Sequence, residues 1–158
     1  MRRLDDVAAL IAIPSVSRDE SALADVVESR LRRAPHLEVH RVGDNVVART
    51  FGSNARRLLV AGHLDTVPGD PTPRRDGDRV AGVGACDMKG SLAIMLELAV
   101  AAVVRPVEVT WVFYAREEIA RAESGLRELI ERLPRRRSQR ADRDGMGVGH
   151  PRRRRLLG

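Results

Sequence analysis

Leu58-Leu59-Val60-Ala61-Gly62-His63-Leu64-Asp65-Thr66-Val67-Pro68 decides the reading of this chain. Four apolar residues in a row, closed by a glycine, have the length and continuity of a strand buried on both faces. The character then changes at once, to an imidazole and a carboxylate two positions apart. In open α/β sheets, ligands sit outside the carboxyl ends of the strands, and His63 and Asp65 fall at such an end.

Working downstream, residues 68–78 form a loop rich in Pro, Gly and Asp, with Asp76-Gly77 as a hairpin turn signal. Gly82 and Gly84 precede Asp87-Met88-Lys89-Gly90, and an apolar helix is expected from Ser91 to Val104, ended by Pro106. Val107–Tyr114 is the clearest strand, and Glu117-Glu118 lie just beyond its end. A last helix is expected over 122–133, with Leu126, Leu129, Ile130 and Leu133 sharing a face.

Working upstream, Val46–Thr50 and Leu37–Val42 read as strands joined by the turn Gly43-Asp44-Asn45. Residues 4–13 have helical spacing and stop at Pro14. Ser17 and Glu20 stand at capping-box spacing before a second helix that runs to Arg33. Strands alternating with helices predict an α/β fold, a three-layer sandwich around a central mixed sheet.

The chain has 158 residues, 43% hydrophobic and 32% charged, enough for one domain with a real core. No apolar run reaches the roughly 18–20 residues of a membrane span. Asp5 and Asp6 break the N-terminal stretch, which reads as an amphipathic helix rather than a signal peptide. Cys86 is the sole cysteine, so no internal disulfide framework exists and a reducing, cytoplasmic setting is expected. The net charge of +6 is uneven: residues 135–158 carry nine arginines against Asp142 and Asp144. Only one basic residue is lysine, Lys89, a bias that says more about coding composition than about a partner.

The three clusters at strand ends supply one imidazole and four carboxylates, a donor set suited to Zn2+ and related divalent ions. In His63-x-Asp65 the second side chain can fold back to the first and fix its tautomer. Of adjacent Glu117 and Glu118, one can ligate while the other serves as general base for water. Singly, each piece has an ordinary explanation: a hydrogen-bonded surface histidine, acidic residues opening a helix, an N-capping Asp87. Gly82-x-Gly84 lacks the Lys-Ser/Thr ending of a phosphate loop. Cys86 reads as a buried structural thiol.

Taken together, Gly-His-Leu-Asp-Thr-Val-Pro at 62–68, Gly-x-Gly-x-x-Asp-Met-Lys-Gly at 82–90 and Glu-Glu at 117–118 resemble the zinc-dependent metallopeptidase family that includes aminoacylases, acetylornithine deacetylase and succinyl-diaminopimelate desuccinylase. Thr110–Tyr114 running into Glu117-Glu118, then Ala122-x-x-x-Gly125-Leu126, is similar to the actinobacterial desuccinylase branch. That resemblance implies hydrolysis of N-succinyl-LL-2,6-diaminopimelate, a succinylated amino acid, to succinate and LL-diaminopimelate. It also implies roles. His63 binds one metal and Asp65 orients it, Asp87 bridges two metals, and Glu118 completes the His63 site. Glu117 is general base and acid. Two Zn2+ per subunit are usual in the family, with Co2+ an alternative, and one tightly held ion is expected here. A cis peptide after the bridging aspartate, Asp87–Met88, is part of the same pattern.

Relatives in the family exceed twice this length and dimerise through an inserted domain that is not recognisable here, so hydrolysis by this chain alone is expected to be impaired or absent. The expected division is a partial metallohydrolase catalytic domain over 1–134 and a disordered Arg-rich tail over 135–158, patternless enough to read as a shifted frame. His150 in that tail is not expected to replace the family's second histidine ligand. Two rivals remain: another deacylase of the family, acetylornithine deacetylase-like, and a non-catalytic fragment whose tail binds nucleic acid non-specifically. The tail has no aromatic residue for stacking, so nucleic acid is not the expected partner.

Overall fold

The computed structural model describes residues 2–52, 56–103 and 106–133. The elements run α1 (Arg2–Ile11), α2 (Ser21–Arg32), β1 (Leu37–Val42), β2 (Asn45–Thr50), β3 (Arg57–His63), β4 (Arg74–Asp76), β5 (Arg79–Ala81), α3 (Gly90–Val100), β6 (Glu108–Tyr114) and α4 (Gly125–Arg132). An irregular turn, Ala85–Lys89, leads into α3, and a short 3-10 turn, Arg121–Glu123, precedes α4.

Four strands form one sheet in the order β1-β2-β6-β3. β1 and β2 are antiparallel, as are β2 and β6, whereas β6 and β3 are parallel, so the sheet is mixed as expected. Period-two alternation sorts the side chains of β2 and β6. Val46, Ala48, Val109, Trp111 and Phe113 join the core under α1, α2 and α3. Val47 and Val112 point the other way and meet Leu129 of α4. Helices therefore cover both faces, the three layers of the expected sandwich, with the larger core on the α1–α3 side.

The second face of that sandwich is thin, and several expectations shift accordingly. β3 is not buried on both faces: Leu58 and Leu59 are 53% and 63% exposed. Among the described residues β3 pairs only with β6, so its outer edge has no cover. The last helix starts at Gly125, and of its apolar residues Leu129 is buried while Ile130 is 79% exposed. α3 ends at Val100, with Ala101 already extended, four residues before the expected stop. The β-branched pair Val103-Val104 and the approaching Pro106 disfavour further turns. The Asp76-Gly77 signal does mark a hairpin, β4–β5, with Gly77 at φ +54°. The tail after Pro134 lies outside the described residues.

Candidate metal centre

The carboxyl ends of β3 and β6 lie side by side, with His63 opposite Tyr114 in the parallel register. The Leu64 amide donates to the Tyr114 carbonyl at 2.7 Å, so the ladder holds one step past the strand. His63 is buried, and the Tyr114 ring meets it edge-on at 6.2 Å between centroids. Gly62 is closely approached: a Cβ there would lie 2.8 Å from Met88 Cε and 2.9 Å from Met95 Sδ, so both methionine ends would have to shift.

Asp65 is the hub of the site. Its Oδ1 accepts the Glu117 amide at 2.9 Å, and its Oδ2 accepts the Glu118 amide at 3.0 Å and the Ser17 hydroxyl at 2.7 Å. One buried carboxylate thus fixes the backbone that carries both glutamates. Burial alone would raise the Asp65 pKa, but its bonds to His63, Ser17 and the two amides hold it well below the usual carboxylate range.

The His63 ring is fixed at both nitrogens. Nδ1 lies 3.0 Å from the Asp65 carbonyl oxygen, which can only accept, so Nδ1 carries a proton. The Asp65 carboxylate is farther, at 3.4 Å, so the second-nitrogen partner expected from His63-x-Asp65 is chiefly the carbonyl of the same residue. Nε2 faces Asp87 Oδ1 at 2.9 Å. Burial lowers the His63 pKa, yet the hydrogen bonds with Asp65 and Asp87 outweigh it and lift the ring to about 9.

Asp87 reaches this place from the irregular turn, whose Asp87–Met88 peptide is cis, as the resemblance implies. Gly84, at φ +76°, opens the turn in the left-handed region that glycine tolerates. Ligand atoms of His63, Glu117 and Glu118 lie within 4.8 Å of one another. Asp87 stands apart from that group and meets the ring separately, its Oδ1 2.9 Å from His63 Nε2. An imidazole with one nitrogen committed to a carbonyl, grouped with the Glu117 and Glu118 carboxylates, fits a divalent cation by donor chemistry. An open cleft of ≈ 510 Å³, lined by Thr66, Val80, Gly82, Cys86, Asp87 and Glu118, adjoins this point.

Three site details escaped the sequence reading. Ser17 is not a helix cap; α2 has Glu20 at its N-cap position without a side-chain cap bond, and Ser17 instead serves Asp65. Cys86 is exposed rather than buried, because the irregular turn aims it into the cleft. Lys89 is buried, and its Nζ donates to the Ile13 carbonyl at 2.6 Å. The partners of Ser17 and Lys89 lie dozens of residues away, beyond the reach of local periodicity.

The chain is 46% identical over 130 residues to a Mycobacterium tuberculosis (strain H37Rv) protein proposed to be the succinyl-diaminopimelate desuccinylase DapE, an alignment covering 80% of this chain and 37% of that one. It is 38% identical over 133 residues to the succinyl-diaminopimelate desuccinylase of Corynebacterium glutamicum, covering 79% and 36%. The chain therefore spans a little over a third of the length of these relatives. Human carnosine dipeptidase 1 shares the fold, with a TM-score of 0.69 at 20% identity over 82% of this chain and 34% of the dipeptidase. The model of peptidase family M20/M25/M40 matches residues 59–154, a stretch that begins within β3 and takes in all three donor loops. On that match and these identities, the chain belongs to peptidase family M20/M25/M40.

Proposed function

We propose that residues 1–134 form the metal-binding part of a cytoplasmic hydrolase domain that cleaves N-succinyl-LL-2,6-diaminopimelate to succinate and LL-diaminopimelate. The observation that carries this reading is the grouping of Glu117 and Glu118 with His63, whose Nε2 meets Asp87. The two desuccinylase relatives support the choice of acyl group. His63 Nε2, Asp87 and Glu118 are the proposed donors for Zn2+, with Co2+ able to replace it, and Asp87 would be the donor shared with a second ion. A bound divalent cation supplies Lewis acidity that makes water nucleophilic near neutral pH.

The remaining work falls to the chain. Asp65 holds the Glu117 and Glu118 amides, so both carboxylates face His63 without searching. Glu117 takes the proton from the attacking water and returns it to the leaving amine. The Asp65 carbonyl keeps the proton of His63 on Nδ1 and leaves Nε2 free to ligate. Val80 and Gly82 border the cleft where the acyl group would lie.

The test pairs metal content after dialysis with amine release from N-succinyl-LL-2,6-diaminopimelate and from N-acetylornithine. Retained Zn2+ that is lost on His63→Ala, with any turnover weak and confined to the succinyl substrate, is the expected result. Metal uptake independent of His63, or preference for the acetyl substrate, overturns the reading.

A further inference from the structure

Residues 13–20 pass beneath all three donor loops and bond to each. Lys89 Nζ donates to the Ile13 carbonyl, tying down the Asp87 turn. Ser15 Oγ donates to the Leu64 carbonyl at 2.9 Å, and the Ser15 carbonyl accepts the Thr66 amide at 2.9 Å. Ser17 holds Asp65. The last tie is Glu20, whose Oε1 accepts the Arg116 amide at 3.0 Å.

Glu20 is an odd residue to find there. It is 0% exposed, caps no helix, and joins no ion pair among the described residues. Its Oε2 has no hydrogen-bond partner among them. Burial pushes its pKa up, against hydrogen bonds from the backbone of Arg18, Glu20 and Arg116 that pull it down. A buried carboxylate with an unmatched oxygen costs folding free energy, so its presence is not explained by stability.

The group it holds is informative. Arg116 is a non-glycine residue at φ +61°, in the left-handed region, and it directly precedes Glu117 and Glu118. L-residues occupy that region only where surroundings enforce it. The Arg116 side chain is anchored separately, to the Glu123 carbonyl at 2.7 Å and to Glu128 at 2.7 Å, which leaves its amide to Glu20. Without that acceptor the turn can relax to negative φ and swing both carboxylates away from His63.

We propose that Glu20 is a positioning residue of the metal centre, clamping the Arg116 amide so that Glu117 and Glu118 face His63. This rests on the metal-centre reading above. The test titrates Co2+ into the chain and its variants and reads the visible absorption of the bound ion, with urea unfolding of each metal-free variant in parallel. Glu20→Met keeps the length and removes the acceptor. It should weaken Co2+ binding about 10–100-fold, the scale found for outer partners of metal ligands. Its urea midpoint should fall modestly, because the Arg116 amide loses its acceptor, so Co2+ binding is read on the variant that remains folded. Glu20→Gln keeps an acceptor and should bind Co2+ within about threefold of the wild type with the same spectrum, the rescue that a purely packing role does not produce. If Glu20→Met yields no folded chain, Glu20→Asp draws the oxygen back by about 1.5 Å and should weaken binding at least about tenfold. Wild-type affinity in Glu20→Met, or in Glu20→Asp where it stands in, overturns the inference while leaving the metal reading in place. A wild-type chain that takes up no Co2+ overturns both.

Discussion

Asp65 concentrates more of the site than any other residue, so its removal is the sharpest single-residue experiment. Asp65→Ala frees two amides and a hydroxyl and leaves His63 with only the exposed Asp87 as a carboxylate partner. Breaking a buried charge pair of this kind costs about 3–5 kcal/mol, readable as a lowered urea midpoint. Metal content should fall with it. The adjacent glutamates should separate by function. Glu118→Ala is expected to lose metal, whereas Glu117→Ala should keep metal and lose about 10²–10⁴-fold in hydrolysis. The reverse pattern, measured by metal analysis beside amine release, would exchange their roles. His63 also sets a pH dependence for the metal-free chain. Its folded pKa, about 9, lies above the ordinary 6.5. Its contribution to stability is therefore complete below about pH 6.5 and is lost as pH rises through about 9. Thermal unfolding in chelator across that window should show the decline, and a flat profile would remove His63 from the hydrogen-bonded position assigned to it.

Among the elements, α3 and α4 make opposite predictions. α3 buries Leu92, Ala93, Met95, Leu96 and Ala99 against the sheet. Leu96→Ala should cost about 2–5 kcal/mol by denaturant titration. α4 is buried chiefly through Leu129, and Ile130→Ala should change stability by no more than about 0.5 kcal/mol. The expected apolar face of α4 was drawn from spacing alone, and spacing tells which residues share a side but not whether anything packs there. The same limit explains β3. A continuous apolar run identifies a strand, and the run 58–61 is one, yet only the neighbouring strands decide whether its faces are covered. The donor motifs were legible because backbone chemistry ties them to their places: glycines where the chain turns sharply, polar residues where strands stop. Ser17 and Glu20 were not, because their partners are 48 and 96 residues distant and their local spacing matched a helix cap instead.

For the molecule as a whole, the exposed edge is the dominant liability. Leu58 and Leu59 sit on β3, whose outer edge has no partner strand among the described residues. Such an edge invites pairing between copies. Light scattering of the isolated chain should show concentration-dependent association, reduced by Leu59→Lys, which places a charge on the edge. Equal scattering from both would locate the association elsewhere.

The position of β6 has a further consequence, in time rather than in space. β6 lies between β2 and β3, yet among the described residues it is the last strand of the sheet to leave the ribosome. At roughly 5–20 residues per second, the interval between completing β3 at residue 63 and completing β6 at residue 114 is about 3–10 s. Through that interval the β1–β2 hairpin and β3 have no strand to join them. The nascent chain therefore carries two unsatisfied sheet fragments, and a holdase that shields apolar strands would find its substrate during synthesis and lose it once Tyr114 has emerged.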